Sequence, residues 1–101
     1  MSTTVIVAFQ AKPDQVEALA EFLSGLQAGV LEAGAQSISA LQDQDDPTRF
    51  FEVEVWSSAD AHKQFVAAAS AAGGFAPFDA LLAGPFTINY LDTVQHSAAE
   101  L

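Results

Sequence analysis

Residues 49–56 read RFFEVEVW, and the alternation of their side chains predicts a β-strand. Successive side chains of a strand point to opposite faces of the sheet. One face of this strand therefore carries the apolar residues Phe51, Val53 and Val55. The other face carries two aromatic and two acidic residues, Phe50, Glu52, Glu54 and Trp56. Apolar side chains on both faces are typical of a sheet that is covered on both sides.

The sequence SSAD at residues 57–60 follows this strand directly and predicts the start of a helix. Ser57 is the expected N-cap, and Asp60 stands three residues later, as in a capping box. The helix is expected to pass through His62 and Phe65 and to end at the glycine pair of residues 73–74. Because His62 lies one turn before Phe65, both side chains are expected to face the sheet.

The chain before this segment predicts a strand and a long amphipathic helix. Residues 3–11 (TTVIVAFQA) form an uninterrupted β-branched and apolar run, which indicates a strand. In residues 15–33 apolar side chains recur at helical period, and the expected buried stripe consists of Val16, Leu19, Phe22, Leu23, Leu26, Val30 and Leu31. We expect Asp14 to cap this helix together with Glu17, and Gly34 to end it.

Three weaker segments complete the order of elements. Residues 36–43 predict a strand, and an Asp/Pro-rich turn joins it to the next strand as an antiparallel hairpin. Residues 75–83 predict a short helix or turn, and residues 86–94 predict the last strand. The order β-α-β-β-α-β is that of a ferredoxin-like α+β fold with a four-stranded antiparallel sheet.

The length of 101 residues predicts a single domain, which we place at residues 3–94. Residues 95–101 are expected to form a frayed C-terminal tail. In the ferredoxin-like arrangement both helices lie on one face of the sheet, so the other face needs a cover. A homodimer that packs sheet against sheet is the simplest cover. The alternative is that Glu52 and Glu54 mark an ordinary wet face.

Composition narrows the classes of partner. Thirteen acidic residues against three basic ones give a formal charge of −10, which argues against nucleic acid and against anionic membranes as partners. No apolar run approaches the length of a membrane span, and the first residues lack the basic region of a signal peptide. Cysteine is absent, so a cytoplasmic location is expected. The two histidines stand far apart and lack carboxylates at ligand spacing, so no metal is expected.

The mixed face of the strand at residues 49–56 holds the first candidates for chemistry. If this face lines a cavity, burial and mutual repulsion would raise the pKa of Glu52 or Glu54, and either carboxylate would then accept a phenolic proton. Trp56 would form an apolar wall that stacks on a flat substrate. His62 titrates near neutral pH and is a second candidate base. The alternatives are solvated carboxylates, a core tryptophan and a partly exposed helix histidine.

The remaining candidates are expected to bind substrate. Arg49 would pair with a phenolate or, alternatively, with a nearby aspartate, and Tyr90 would donate a hydrogen bond or simply pack. Phe65, Phe75 and Phe78 would line the mouth of the pocket, or else pack in the core. Residues 70–76 contain the glycine pair at residues 73–74, so this segment would act as a flexible gate.

Several of these features together resemble the antibiotic biosynthesis monooxygenase family. They are the order of elements, the small-residue helix end EAGA at residues 32–35, Asp46-Pro47 before a strand that ends in EVW, and SSADA at residues 57–61. The resemblance covers roughly residues 3–94. It implies a dimeric α+β barrel with a cavity between sheet and helices in each protomer.

The resemblance also implies an activity. Enzymes of this family oxidise phenolic or polycyclic aromatic substrates with O₂ and without metal, flavin or haem, because the deprotonated substrate supplies the electrons. Trp56 would line the cavity, and Glu54 matches the family position of the base. Phe65 stands where many members carry a histidine, so His62 is the possible replacement. Glu52 stands where anthrone-oxidising members carry asparagine, and the first strand lacks the asparagine of the haem-degrading branch.

Three hypotheses of function follow. The first is a cofactor-independent monooxygenase that acts on a small aromatic, polyketide-type or quinol substrate. The second is a non-catalytic module that binds a small hydrophobic ligand in the same cavity. The third is an isomerase, cyclase or dehydratase that uses Glu54 or His62 as its base. Oxygen consumption would support the first hypothesis. Stabilisation by a ligand without turnover would support the second, and turnover that does not depend on oxygen would support the third.

Overall fold

Four strands form one antiparallel sheet in the order β2-β3-β1-β4, and the helices pack on one of its faces. A computed structural model describes residues 2–94. The elements are β1 (Thr3–Gln10), α1 (Val16–Ala33), β2 (Ser37–Gln42), β3 (Arg49–Trp56), α2 (Ala59–Ala71), α3 (Phe78–Leu81) and β4 (Thr87–Leu91). The predicted ferredoxin-like α+β fold is confirmed. The predicted tail at residues 95–101 lies outside the described residues.

The two central strands carry the core of the domain. β1 pairs with β3 along its whole length, and Val5 faces Glu54 while Val7 faces Glu52. The predicted bounds of β3 are confirmed, and its side chains alternate between buried and half-buried as the sequence period requires. The buried face of the sheet lies under the helices. The mixed face of β3 is therefore the inner face.

Helix α1 lies over this inner face and buries Leu19, Leu23 and Val30. The prediction that Leu31 belongs to the buried stripe is wrong, because its side chain is 46% exposed. The predicted cap at Asp14 is also wrong: Gln15 occupies the N-cap position and makes no capping hydrogen bond through its side chain.

Gly34 ends α1, as predicted, with a φ of 129°. This left-handed region favours glycine, since other residues meet a steric penalty there. A Cβ at this position would also lie 3.4 Å from Cζ3 of Trp56. The glycine therefore lets the end of α1 turn closely over the end of β3.

Helix α2 begins one residue later than predicted. Ser58, not Ser57, is the N-cap, and its Oγ accepts a hydrogen bond of 3.1 Å from the backbone N–H of Ala61. The cap aims the first turn of α2 so that His62 is buried against the sheet. The short helix α3 then brings Phe78 and Leu81 into the core.

The outer face of the sheet carries no described helix. Phe51, Val53 and Val55 are half-buried on this face, and Leu41 on the edge strand β2 is 52% exposed. Within residues 2–94, no helix is both long enough and apolar enough to cross a membrane.

Candidate functional site

Two carboxylates are buried on the inner face of β3. Glu52 is 5% exposed and Glu54 is 2% exposed, and both lie between β1 and β2 under the helices. The alternative prediction of an ordinary wet face is therefore wrong. Since burial of charged groups is costly, each carboxylate needs compensating contacts.

Glu54 has such contacts. Its Oε1 accepts a hydrogen bond of 2.7 Å from the indole Nε1 of Trp56, which lies two residues further along the same face. The Nε2 atom of His62, from α2, lies 3.7 Å from the same oxygen. These neighbours compensate the charge of Glu54 and fix its orientation.

His62 connects Glu54 to Tyr90 on β4. Burial lowers the pKa of His62 from its usual 6.5, and the opposing effect of Glu54 is smaller. The imidazole is therefore neutral at pH 7 and carries one N–H. With that N–H on Nε2, towards Glu54, Nδ1 accepts the hydrogen bond of 2.9 Å from the Tyr90 hydroxyl. Burial and the charge of Glu54 raise the pKa of Tyr90, so this hydroxyl keeps its proton.

Glu52 lacks comparable support. Among the described residues its Oε2 has no hydrogen-bond partner. Burial, the negative charge of Glu54 and a hydrogen bond to Glu54 raise the pKa of Glu52 from 4.5 to about 8. At neutral pH Glu52 therefore holds its proton, and its unpartnered Oε2 is left as a free acceptor beside the interior.

Both carboxylates border an inner cavity between the sheet and the helices. The cavity has a volume of about 30 Å³. Its other lining residues are apolar or aromatic, apart from His62: Val7, Phe9, Leu26, Val30, Phe65, Val66, Phe75, Phe78, Phe86 and Ile88. A volume of this size holds about one water molecule, whereas pockets for organic ligands have ~300–1,000 Å³.

The structure brings together six of the nine predicted site residues as lining of this cavity: Glu52, Glu54, His62, Phe65, Phe75 and Phe78. Their catalytic or binding roles stay predictions. Trp56 is 1% exposed and does not line the cavity, so the predicted stacking wall is not formed. Its indole instead holds Glu54.

Two other predicted residues lie elsewhere. Tyr90 contacts His62 from the side and does not line the cavity. Arg49 lies on the outer face of the sheet, where its guanidinium stacks 5.1 Å from the centroid of the Phe51 ring. Arg49 therefore does not border the inner cavity, and its pairing with a phenolate stays a prediction.

Sequence reasoning missed Phe9 and Phe86 as cavity residues. Phe9 alternates in step with Val5 and Val7 along β1, so the strand period could have placed it on the same buried face. Phe86 lies just before β4, and its ring packs 5.8 Å from Phe9 and 5.5 Å from Phe78, a contact that no local pattern predicts. Within residues 2–94, no three histidine, aspartate or glutamate side chains cluster as metal ligands would.

Comparison with known proteins agrees with this architecture. The family model for antibiotic biosynthesis monooxygenases matches residues 2–74. The structure of PA3566 from Pseudomonas aeruginosa is 26% identical, with a TM-score of 0.78 over 93% of this chain and 95% of that chain. Rv0793 from Mycobacterium tuberculosis is 19% identical, with a TM-score of 0.80 over 97% and 100%. No curated protein matches the chain in sequence.

Proposed function

Because the chain belongs to the antibiotic biosynthesis monooxygenase family, we propose that it is a cofactor-independent monooxygenase for a small aromatic, polyketide-type or quinol substrate. The observation that carries this proposal is the unpartnered Oε2 of Glu52, buried in an aromatic cavity beside Glu54. A buried acceptor without a partner costs free energy of folding, and a substrate that donates a hydrogen bond to this oxygen would offset that cost.

Glu52 is the proposed base. Its pKa of about 8 lies within reach of the acidity of a phenol or quinol, and an effective base has a pKa near the working pH. The sequence favoured Glu54, but Oε1 of Glu54 is already engaged by Trp56 and lies beside His62. Glu54 then acts through Glu52, because its negative charge helps to raise the pKa of its neighbour.

Trp56, His62 and Tyr90 are positioning residues in this proposal. Trp56 fixes Glu54 from one side, and His62 approaches it from another. The hydrogen bond from Tyr90 selects the His62 tautomer that presents N–H to Glu54. Neither Trp56 nor Tyr90 borders the cavity, so both support the carboxyl pair without touching substrate.

The proposed reaction begins when Glu52, in its ionised form, accepts the proton of the substrate hydroxyl. The resulting anion is electron-rich and reacts with O₂ at an activated ring carbon. One oxygen atom of O₂ is added to that carbon as the new C=O oxygen, and the other leaves as water. The two hydrogens of that water come from the CH₂ group of an anthrone, or from the O–H and a ring C–H of a quinol, which becomes a hydroxyquinone. The substrate supplies all the electrons, so the balance needs no external reductant and no cofactor.

A homodimer is part of the proposal. The outer face of the sheet presents Phe51, Val53 and Val55, and Leu41 on the edge strand is exposed. An apolar sheet face of this kind is stabilised when a second copy covers it.

Val53→Lys would place a charge in that interface and yield a monomer by analytical ultracentrifugation. Ala68→Lys, on the exposed side of α2, would leave the dimer intact. A Val53→Lys variant that stays dimeric would contradict this arrangement.

Oxygen uptake with a panel of anthrones and hydroquinones tests the function. We expect uptake above the uncatalysed rate, a large loss in Glu52→Gln and no loss in Glu21→Gln, a matched change on the exposed side of α1. Oxygen uptake that is unchanged in Glu52→Gln would show that another residue is the base. Turnover that continues without oxygen would instead indicate an isomerase or cyclase, and stabilisation by ligands without turnover would indicate a binding module.

A further inference from the structure

The inner cavity contains an acceptor that the protein itself leaves unused. The Oε2 atom of Glu52 is buried, borders the cavity and has no hydrogen-bond partner among the described residues. The carboxyl group of Glu54 lies beside it, so two acidic groups share one small space. A ligand that donates a hydrogen bond and carries a positive charge would satisfy both features.

Aromatic rings surround this carboxyl pair. The face of a phenylalanine ring carries partial negative charge and attracts a cation that lies within about 6 Å of the ring centroid. Four separate segments of the chain contribute rings to the cavity lining, and the five rings are Phe9, Phe65, Phe75, Phe78 and Phe86. A lining of carboxyl groups and aromatic rings favours a cation over a neutral ligand of the same size.

The ionisable groups around Glu52 include no competing positive charge. Glu54 from β3 and His62 from α2 line the cavity with it, and the lining residues from α1, β1 and β4 are apolar. Tyr90 from β4 contacts His62, and Lys63 stacks over the Tyr90 ring at 5.2 Å without lining the cavity. No described Lys or Arg lines the cavity. The formal charge of −10 also attracts cations to the protein.

The size of the cavity selects among cations. Its volume of about 30 Å³ suits a ligand of the size of one water molecule. An ammonium ion is close to this size and has N–H donors, whereas tetramethylammonium is larger and has none. Within residues 2–94, no three histidine, aspartate or glutamate side chains cluster as metal ligands would, so a metal ion lacks a ligand set here.

An ion of this size can reach the cavity between the two long helices. Leu26 on α1 and Phe65 and Val66 on α2 line the cavity, and all three are half-buried. The same side chains therefore contact both the cavity and the solvent. Rotamer changes of partly exposed side chains occur within nanoseconds, so entry needs no movement of the backbone.

We propose that the inner cavity binds an ammonium ion, which donates a hydrogen bond to Oε2 of Glu52 and lies among the phenylalanine rings. Glu52 releases its proton to the solvent when the ion binds, so the net charge of the cavity stays the same. This exchange avoids the cost of adding a charge to the interior. The inference goes beyond the proposed function and does not rest on it, because it concerns binding without a reaction.

NMR spectroscopy of protein with ¹³C-labelled glutamate carboxyl groups tests this exchange. The spectra are recorded against pH in ammonium chloride, potassium chloride and tetramethylammonium chloride at equal ionic strength, and Glu52→Gln identifies the Glu52 signal. Because a bound cation favours the ionised carboxyl, we expect the pKa of Glu52 to be about one unit lower, or more, in the ammonium salt than in the other two. An equal pKa of Glu52 in all three salts would overturn the proposal.

Urea denaturation at pH 7 gives a second measurement. The wild type should be more stable in ammonium chloride than in potassium chloride of equal ionic strength, since the ion binds only the folded state. Glu52→Gln should lose this difference, whereas Glu21→Gln, at an exposed position, should keep it. A difference that persists in Glu52→Gln would show a general effect of the salt and would overturn the proposal.

A pair of valine substitutions on α1 tests the location of the ion. Val30 lines the inner cavity and Val16 does not. Val30→Ile adds a methylene group to a space of about one water molecule and should abolish the decrease in the pKa of Glu52 that is specific to ammonium. Val16→Ile should keep that decrease. A folded Val30→Ile protein with the full decrease would overturn the assignment of the ion to this cavity.

Discussion

The raised pKa of Glu52 makes a quantitative prediction about stability. The folded protein holds the Glu52 proton up to a pH of about 8, whereas an unperturbed glutamate releases it near 4.5. Between these values the folded state binds more protons than the unfolded state, so the free energy of unfolding falls as pH rises. This contribution is fully present below pH 4.5 and is lost as pH rises through about 8.

The magnitude follows from the same two pKa values. At about 1.4 kcal/mol per pH unit, the interval from 4.5 to about 8 corresponds to about 5 kcal/mol of unfolding free energy. Water entry around the ionised pair lowers this figure, so it is an upper limit. His62 acts in the opposite sense: its lowered pKa destabilises the fold as pH falls below 6.5.

Glu52→Gln isolates the effect of this one carboxyl. The variant cannot ionise at this position, so it does not lose stability as Glu52 is deprotonated. The unfolding free energy of the variant minus that of the wild type should therefore rise with pH up to about 8 and then level off. Urea titrations at fixed protein concentration, followed by Trp56 fluorescence, measure this difference from pH 5 to 9. Glu21→Gln should follow the wild type at every pH. A difference that does not change with pH would refute a buried, proton-retaining Glu52.

Five further substitutions test three local features of the fold by urea denaturation. Gly34→Ala should cost about 1–2 kcal/mol because of its φ of 129°, whereas Gly25→Ala, inside α1 with open space around it, should stabilise by about 0.5–1 kcal/mol. Ser58→Ala should cost about 1 kcal/mol, and Ser57→Ala should cost nothing measurable; the reverse order would contradict the observed cap. Tyr90→Phe should cost about 1–2 kcal/mol, since it leaves a buried imidazole nitrogen unpartnered, and no change would contradict that hydrogen bond.

The strand periods predicted most of the fold. A period of two placed Glu52, Glu54 and Trp56 on one face, and β3 has the predicted bounds. The same period also placed Arg49 with Phe51 and Val53 on the opposite face, so its separation from the carboxyl pair could have been predicted from parity alone. Local patterns do not resolve which of two adjacent serines caps a helix, because Ser57 and Ser58 both precede its first turn.

The candidate site was harder to predict because its contacts are tertiary. The period of two places Trp56 beside Glu54 but does not show that the indole turns along the strand to donate to the carboxylate. The contact between His62 and Tyr90 joins α2 to β4 across 28 positions of sequence, which no local pattern reveals. The aromatic lining formed by Phe75, Phe78 and Phe86 likewise depends on packing between two segments, residues 75–78 and the chain just before β4.

The pH dependence of oxygen uptake tests the central claim most directly. If Glu52 is the base, the initial rate with a hydroquinone, corrected for uncatalysed oxidation, should rise with an apparent pKa of about 8. This rise should be absent in Glu52→Gln and present in Glu21→Gln. A rate that is independent of pH between 6 and 9, or that keeps its full value in Glu52→Gln, would contradict the assignment of Glu52 as the base.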